Sequence, residues 1–155
     1  MSFKVSGLAQ FRKNLREVSK KKFPNAVKRF QGDLAARHYS GIVLKTPVLT
    51  GHARHNWVVT VEEPWTQEVE GVFGGDTTGD AFTGYEIQKM EFARRTLMKA
   101  DLGETIYISN NAPYITRLED GYSGKAPAGM VEVTINEVLE VVKTQRELKD
   151  DDSGT

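Results

Sequence analysis

The strongest constraint on this chain is a line of apolar residues through its first third. Leu8, Phe11, Leu15 and Val18 recur at spacings of three and four, which predicts a helix with Ser6 as its N-cap. Lys20, Lys21 and Lys22 are expected to close it, because cations suit the negative end of a helix dipole. Phe23-Pro24 then breaks it, with Pro24 opening a second helix. Val27, Phe30, Leu34 and, less cleanly, Ile42 continue the stripe to about Lys45, roughly 33 Å of helix. Thr46 precedes Pro47 and is pushed out of helical geometry.

The remainder reads as mixed structure. A turn at Thr46–Gly51 leads into a strand from about Arg54 to Glu62, with His55, Trp57, Val59 and Val61 on one face. Pro64 ends it, and Gln67–Phe73 is its expected hairpin partner. Residues 71–84 hold five glycines with Asp76 and Asp80, and predict a mobile loop. Tyr85–Ala100 is helix-prone along Ile87, Met90, Arg94 and Leu97. Glu104–Ser109 predicts a short strand, and Pro113–Glu119 a short helix. Beyond Pro127 two patterns compete, since Val131, Val133 and Ile135 alternate whereas Val131, Ile135, Val138 and Val142 keep helical spacing. The longer pattern favours a helix to about Lys149. The expectation is one α+β domain over residues 1–149, followed by a mobile acidic tail, 150–155. It has two N-terminal helices, a small mainly antiparallel sheet, and a C-terminal helix packed across that sheet.

A length of 155 residues suits a single domain that buries roughly 70% of its unfolded surface. The absence of cysteine excludes disulfides and thiolate metal sites, and fits synthesis in a reducing compartment. No run approaches 18 apolar residues, so no membrane span is expected, and the N-terminus lacks a secretory apolar core. The formal charge of zero hides an asymmetry. Residues 1–60 carry 12 Lys or Arg against Glu17 and Asp33, whereas residues 61–155 carry nine against 19 acids. The halves are thus +10 and −10, which admits three readings. They neutralise each other within the fold, the basic half binds nucleic acid, or the halves meet across subunits.

Chemistry has few candidates. His52 and His55 have no neighbouring Glu as in H-E-x-x-H, and at a turn-to-strand junction they would point to different faces. The glycine loop Gly74–Asp80 lacks the Gly-Lys-Ser/Thr ending of a phosphate cradle, and its aspartates repel phosphate. Gly121-Tyr122-Ser123-Gly124 is no nucleophile elbow. No catalytic residue, cofactor site or metal site is expected. The basic run Lys20–Arg37, which includes Lys28 and Arg29, is the candidate for inter-subunit or DNA contact. Its Phe23 and Phe30 fall on the stripe expected to be buried, which disfavours base stacking.

Two blocks are more distinctive. The first is Thr46-Pro47-Val48-Leu49-Thr50-Gly51 with Arg54 and Trp57 following. The second runs from Ile106 through Asn110-Asn111-Ala112-Pro113-Tyr114 to Leu118-Glu119-Asp120-Gly121, then Ala126-Pro127-Ala128-Gly129-Met130. Together they resemble the tail-completion and neck proteins of long-tailed bacteriophages, a lambdoid-phage group similar in role to the lambda tail protein Z. The likeness spans roughly residues 35–145 and departs from the family pattern at Ala53, Asn56 and Lys125. It implies a non-enzymatic virion protein, made in the host bacterial cytoplasm, that completes the tail and joins it to the head. It further implies a hexameric or dodecameric ring touching neck, tail-terminator or tail-tube proteins, with DNA only as cargo in the lumen. The alternative is a nucleic-acid-binding module using the basic helices.

The residues of both blocks have physical roles without an active site. Thr50-Gly51 supplies a turn in which glycine tolerates positive φ, and Trp57 anchors helix to sheet. Asn110 and Asn111 suit a turn through side-chain bonds to backbone. Tyr114 and Leu118 share a helical face, while Glu119 is expected to accept bonds from turn amides or from Arg54, with a lowered pKa.

Overall fold

The computed structural model describes residues 8–71, 84–126 and 128–152. The glycine loop at 72–83 and the helix start expected at Pro127 lie outside them. The fold is α+β, with N-terminal helices, one two-stranded antiparallel sheet and a C-terminal helix.

The N-terminal stripe forms one continuous rod rather than two broken helices. Helix α1 (Leu8–Glu17) passes through a π-helical turn (Val18–Lys22) into α2 (Phe23–Lys45). The Phe23 N–H bonds to the carbonyl of Val18, five residues back, and the wider turn admits Pro24 without a break. Lys20, Lys21 and Lys22 therefore sit in mid-rod, exposed, and not at a helix end. The π turn also absorbs the five-residue step from Val18 to Phe23. The stripe Phe11, Leu15, Val18, Phe23, Val27, Phe30 consequently stays on one face. That face is not buried as expected, for Phe11, Phe23 and Phe30 are 62%, 65% and 51% exposed.

The core begins further along α2, where Tyr39, Ile42 and Val43 pack with Trp57, Val59, Ala93, Leu97 and Met130. Helix α4 (Gly84–Lys99) packs against α2 and the sheet, burying Ala93 and Leu97 but leaving Ile87 57% exposed. Helix α6 (Val131–Asp152) packs against α2 rather than across the sheet. A Cβ added at Gly41 of α2 would lie 2.6 Å from Thr134 Cγ2, so only glycine permits this approach. The stretch Val131–Ile135 is helical and α6 runs on through Asp150–Asp152, while residues 153–155 of the expected tail lie outside the described ones. No helix among the described residues is long and apolar enough to cross a membrane.

The expected strand from Arg54 divides in two. His52–His55 form a helical turn, α3, closed by His55 N–H to Gly51 O and Asn56 N–H to His52 O, and strand β1 is Val58–Val61. Its partner is β2 (Ile106–Ser109), with Val59 opposite Ile108, and not residues 67–71 of the expected hairpin partner, whose last two residues lie outside the described ones. Part of the 65–71 segment spends its backbone groups elsewhere. Buried Asn56 accepts from Val69 N–H and donates to Val69 O, while Asn111 donates to the carbonyls of Trp65 and Gln67. Amide side chains thus replace a third strand there.

Candidate functional site

The two sequence blocks, some 60 residues apart, meet at one cleft of about 870 Å³. Pro47–Ala53 form one wall. The other is the short helix α5 (Ile115–Glu119) with its flanks, contributing Tyr114, Arg117, Leu118 and Tyr122–Lys125. Leu49 is 92% exposed and Tyr122 77% exposed at this cleft, and the Arg117 guanidinium lies 5.2 Å from the Tyr122 ring centroid. The lining is apolar with a basic edge at Arg117 and Lys125, as suits a protein surface better than a phosphate or a metal.

Beneath the cleft lies a buried polar knot that shapes its first wall. Thr46 Oγ1 donates to Ile42 O at 2.7 Å and accepts from Trp57 Nε1 at 2.8 Å. Tyr39 donates its hydroxyl to Trp57 O. Arg54, also buried, points its guanidinium at the end of α2, donating to Leu44 O and Thr46 O. A cation is favoured there by the helix dipole and by the last, otherwise unbonded carbonyls. These donors face α2, so of the two partners expected for Glu119, turn amides or Arg54, it is backbone amides that meet it.

Glu119 instead caps α6. Its carboxylate accepts the N–H groups of Met130 (2.9 Å), Val131 (3.0 Å) and Glu132 (3.1 Å), at the positive end of that helix. Burial pushes its pKa up, but these three amides outweigh it and hold the carboxyl below 4.5. Gly129 (φ 76°) and Gly121 (φ 80°) take the left-handed positions of this corner, as does Gly51 (φ 81°) before α3. Ala126 and Met130 are buried under it, while Pro113 is exposed. Asn110 Oδ1 accepts from Ala112 N–H, and its amide donates to Ala53 O, tying the two blocks together.

A depressed carboxyl pKa stabilises the fold above the unfolded value and ceases to do so as pH falls through the folded one. Glu119→Gln is therefore expected to cost about 1 kcal/mol near neutrality, allowing for solvent screening. It should cost progressively less below pH 4.5. Urea unfolding midpoints of both proteins at pH 7 and pH 3 check this. An unchanged gap between the two curves would contradict it.

The histidines, expected at a turn-to-strand junction, occupy one turn of α3. His55 Nδ1 lies 2.6 Å from Gly51 O, a structural bond. His52 bridges Tyr114 and Glu68, with Nδ1 3.1 Å from the phenol oxygen and Nε2 2.8 Å from Glu68 Oε1. This chain has the outline of a proton relay but no activated nucleophile. Burial, with the Glu68 charge adding to it, pushes the Tyr114 pKa up and keeps the phenol protonated. Lys89, brought down to about 8 by burial, donates to His55 O and so fastens α4 to the end of α3. No group of three or more His, Asp or Glu among the described residues is placed to hold a metal ion.

The charge halves are joined in part within the chain, by Lys28–Asp101 and Lys45–Glu137, both at 2.6 Å. Lys28 is thereby engaged inside the protein, whereas Lys20, Lys21 and Arg29 are exposed on the rod, and Lys22 pairs with Glu17. Glu68 and Tyr39 were not singled out by the sequence, and Asn56 only as a departure from the family pattern. Their signal, polar groups beside buried backbone, exists only once the chain is folded. Comparison with family models, with curated proteins and with solved structures finds no match to this chain.

Proposed function

We propose that the chain is a structural protein of a phage neck or tail top. It completes the tail and joins it to the head as one subunit of a hexameric or dodecameric ring. The observation that carries this reading is the convergence of the two family-like blocks on one apolar cleft with Leu49 and Tyr122 exposed at it. Thr46, Arg54, Trp57 and Glu119 hold the walls from within, and the surface they shape suits an adjacent neck, tail-terminator or tail-tube protein. No catalytic step, cofactor or metal enters this reading. DNA passes through the ring as cargo, and the protein resides in the virion.

Particles deprived of the chain should then show separated heads and tails by electron microscopy. Complementation with Leu49→Asp should restore few joined particles, although that variant melts like the unaltered protein. Joined particles in the chain's complete absence would end the proposal.

One finding favours a second reading. The aromatics of the basic rod are exposed among cations, which is the arrangement a single-stranded nucleic acid needs for stacking. Fluorescence anisotropy with single-stranded DNA at two salt concentrations separates the readings. Binding that falls steeply with log salt supports this one, and none at low salt removes it.

A further inference from the structure

The rod from Leu8 to Phe30 carries an apolar face that no other element among the described residues covers. Phe11, Leu15, Val18, Phe23 and Phe30 are each 46–65% exposed. Together they present on the order of 500 Å² of apolar surface, as much as the largest patch on an ordinary monomer. Among the described residues α1 packs substantially only against the π turn that continues it. A single unsupported helix of this length is marginal in water. The π turn matters here, because in a regular α-helix the five-residue step from Val18 to Phe23 would swing the stripe by about 140° and present no continuous face.

Charge selects what covers that face. Residues 8–30 hold eight Lys or Arg against Glu17 alone, so two such arms side by side repel each other. Helix α4 exposes Ile87, Phe92 and Met98, but its sequence has four basic residues against two acids. Helix α6 differs: it exposes Ile135 and Leu139 and carries seven acids against three bases. Ile135 also borders an apolar groove of about 590 Å³ between α2, β2 and α6, floored by Trp57, Ile106 and Ile108.

We propose that the N-terminal arm of one copy docks on the acidic, apolar face of a second copy. Its stripe lies along Ile135 and Leu139 and into the groove beside β2. The contact is head-to-tail, because the arm and the groove are different surfaces of the same chain, and repeated it closes a ring or extends a fibre. This deepens the assembly reading above and rests on it.

The chain has no cysteine, so L15C introduces a unique thiol for a benzophenone-maleimide photocrosslinker. The labelled protein is mixed with an equal amount of uniformly ¹⁵N-labelled protein, irradiated, and digested for mass spectrometry. The expected products join the Leu15 peptide of one isotope to peptides from residues 131–143 or 106–108 of the other. Lys20, Lys21 and Lys22 all changed to Glu should reduce that yield at least tenfold, and adding E132K and E140K should restore part of it. Crosslinks to the partner's residues 8–30 or to α4 would overturn the docking. So would an absence of intermolecular crosslinks in a sample that sedimentation velocity shows to be assembled, an outcome that leaves the ring reading standing. A protein that sediments as a monomer at every concentration, without crosslinks, overturns both.

Discussion

Gly129→Ala is expected to remove about 3–6 kcal/mol of stability, a large part of the roughly 5–15 kcal/mol available to a domain. Three effects add at this position. A φ of 76° costs alanine about 1–2 kcal/mol. An alanine Cβ would stand 2.5 Å from Glu119 O and 2.7 Å from Glu119 Oε1, so backbone must move, at about 1–3 kcal/mol. Moving Glu119 also withdraws the carboxylate from the α6 amides, about 1 kcal/mol more. Two further glycines divide these contributions. Gly103 has φ 95° with open space around it, and Gly124 has open space without a positive φ. Calorimetry should find Gly124→Ala near the unaltered protein and Gly103→Ala a few degrees lower. Gly129→Ala should lie about 6–24 °C lower, at about 2–4 °C per kcal/mol for a chain of this size. Equal melting of the Gly103 and Gly129 variants would show that the Glu119 contact is no barrier.

What was legible in the sequence divides along the same line as these effects. Positive-φ glycines, the Thr46-Pro47 stop and the acceptor role of Glu119 follow from local chemistry, and each holds in the structure. The donors to Glu119 were not legible, because they sit at a helix start that two competing periodicities left open. The partner of β1 is a non-local choice between two similar apolar runs. It was decided by Asn56 and Asn111, whose amides hold the nearer run outside the sheet. The cleft needed the same long-range information, since its walls come from residues 47–53 and 114–125.

The N-terminal stripe shows a different kind of limit. Periodicity tells which residues share a face and says nothing about what covers it. The five-residue step from Val18 to Phe23 is visible in the sequence, where Phe23-Pro24 predicts a break. The π turn makes it the device that keeps the face continuous. Phe11, Phe23 and Phe30 keep the predicted spacing yet stay exposed among the described residues, because spacing alone does not supply a surface for them to pack on.

Trp57→Ala is the second large expectation, a loss of about 3–5 kcal/mol. Trp57 is 5% exposed in the core, and its indole N–H ends on Thr46 Oγ1, itself fully buried. Thr46→Val keeps the volume but removes the acceptor, and should cost about 1–3 kcal/mol by leaving the indole N–H unbonded. Phenylalanine at 57 has no N–H to strand. A Trp57→Phe/Thr46→Val cycle in urea should therefore give a coupling of about 1 kcal/mol, and additivity within 0.3 kcal/mol would contradict the bond. The comparison also separates the two kinds of residue within one block. If Thr46 and Trp57 act from beneath the wall, their variants lose joining activity only in proportion to the folded fraction. Leu49, 92% exposed a few residues away, has no comparable hold on the fold. A Leu49 variant that melts normally yet fails to join particles, beside a Trp57→Phe variant that folds and joins, would place the contact on the surface and the motif's tryptophan in its support.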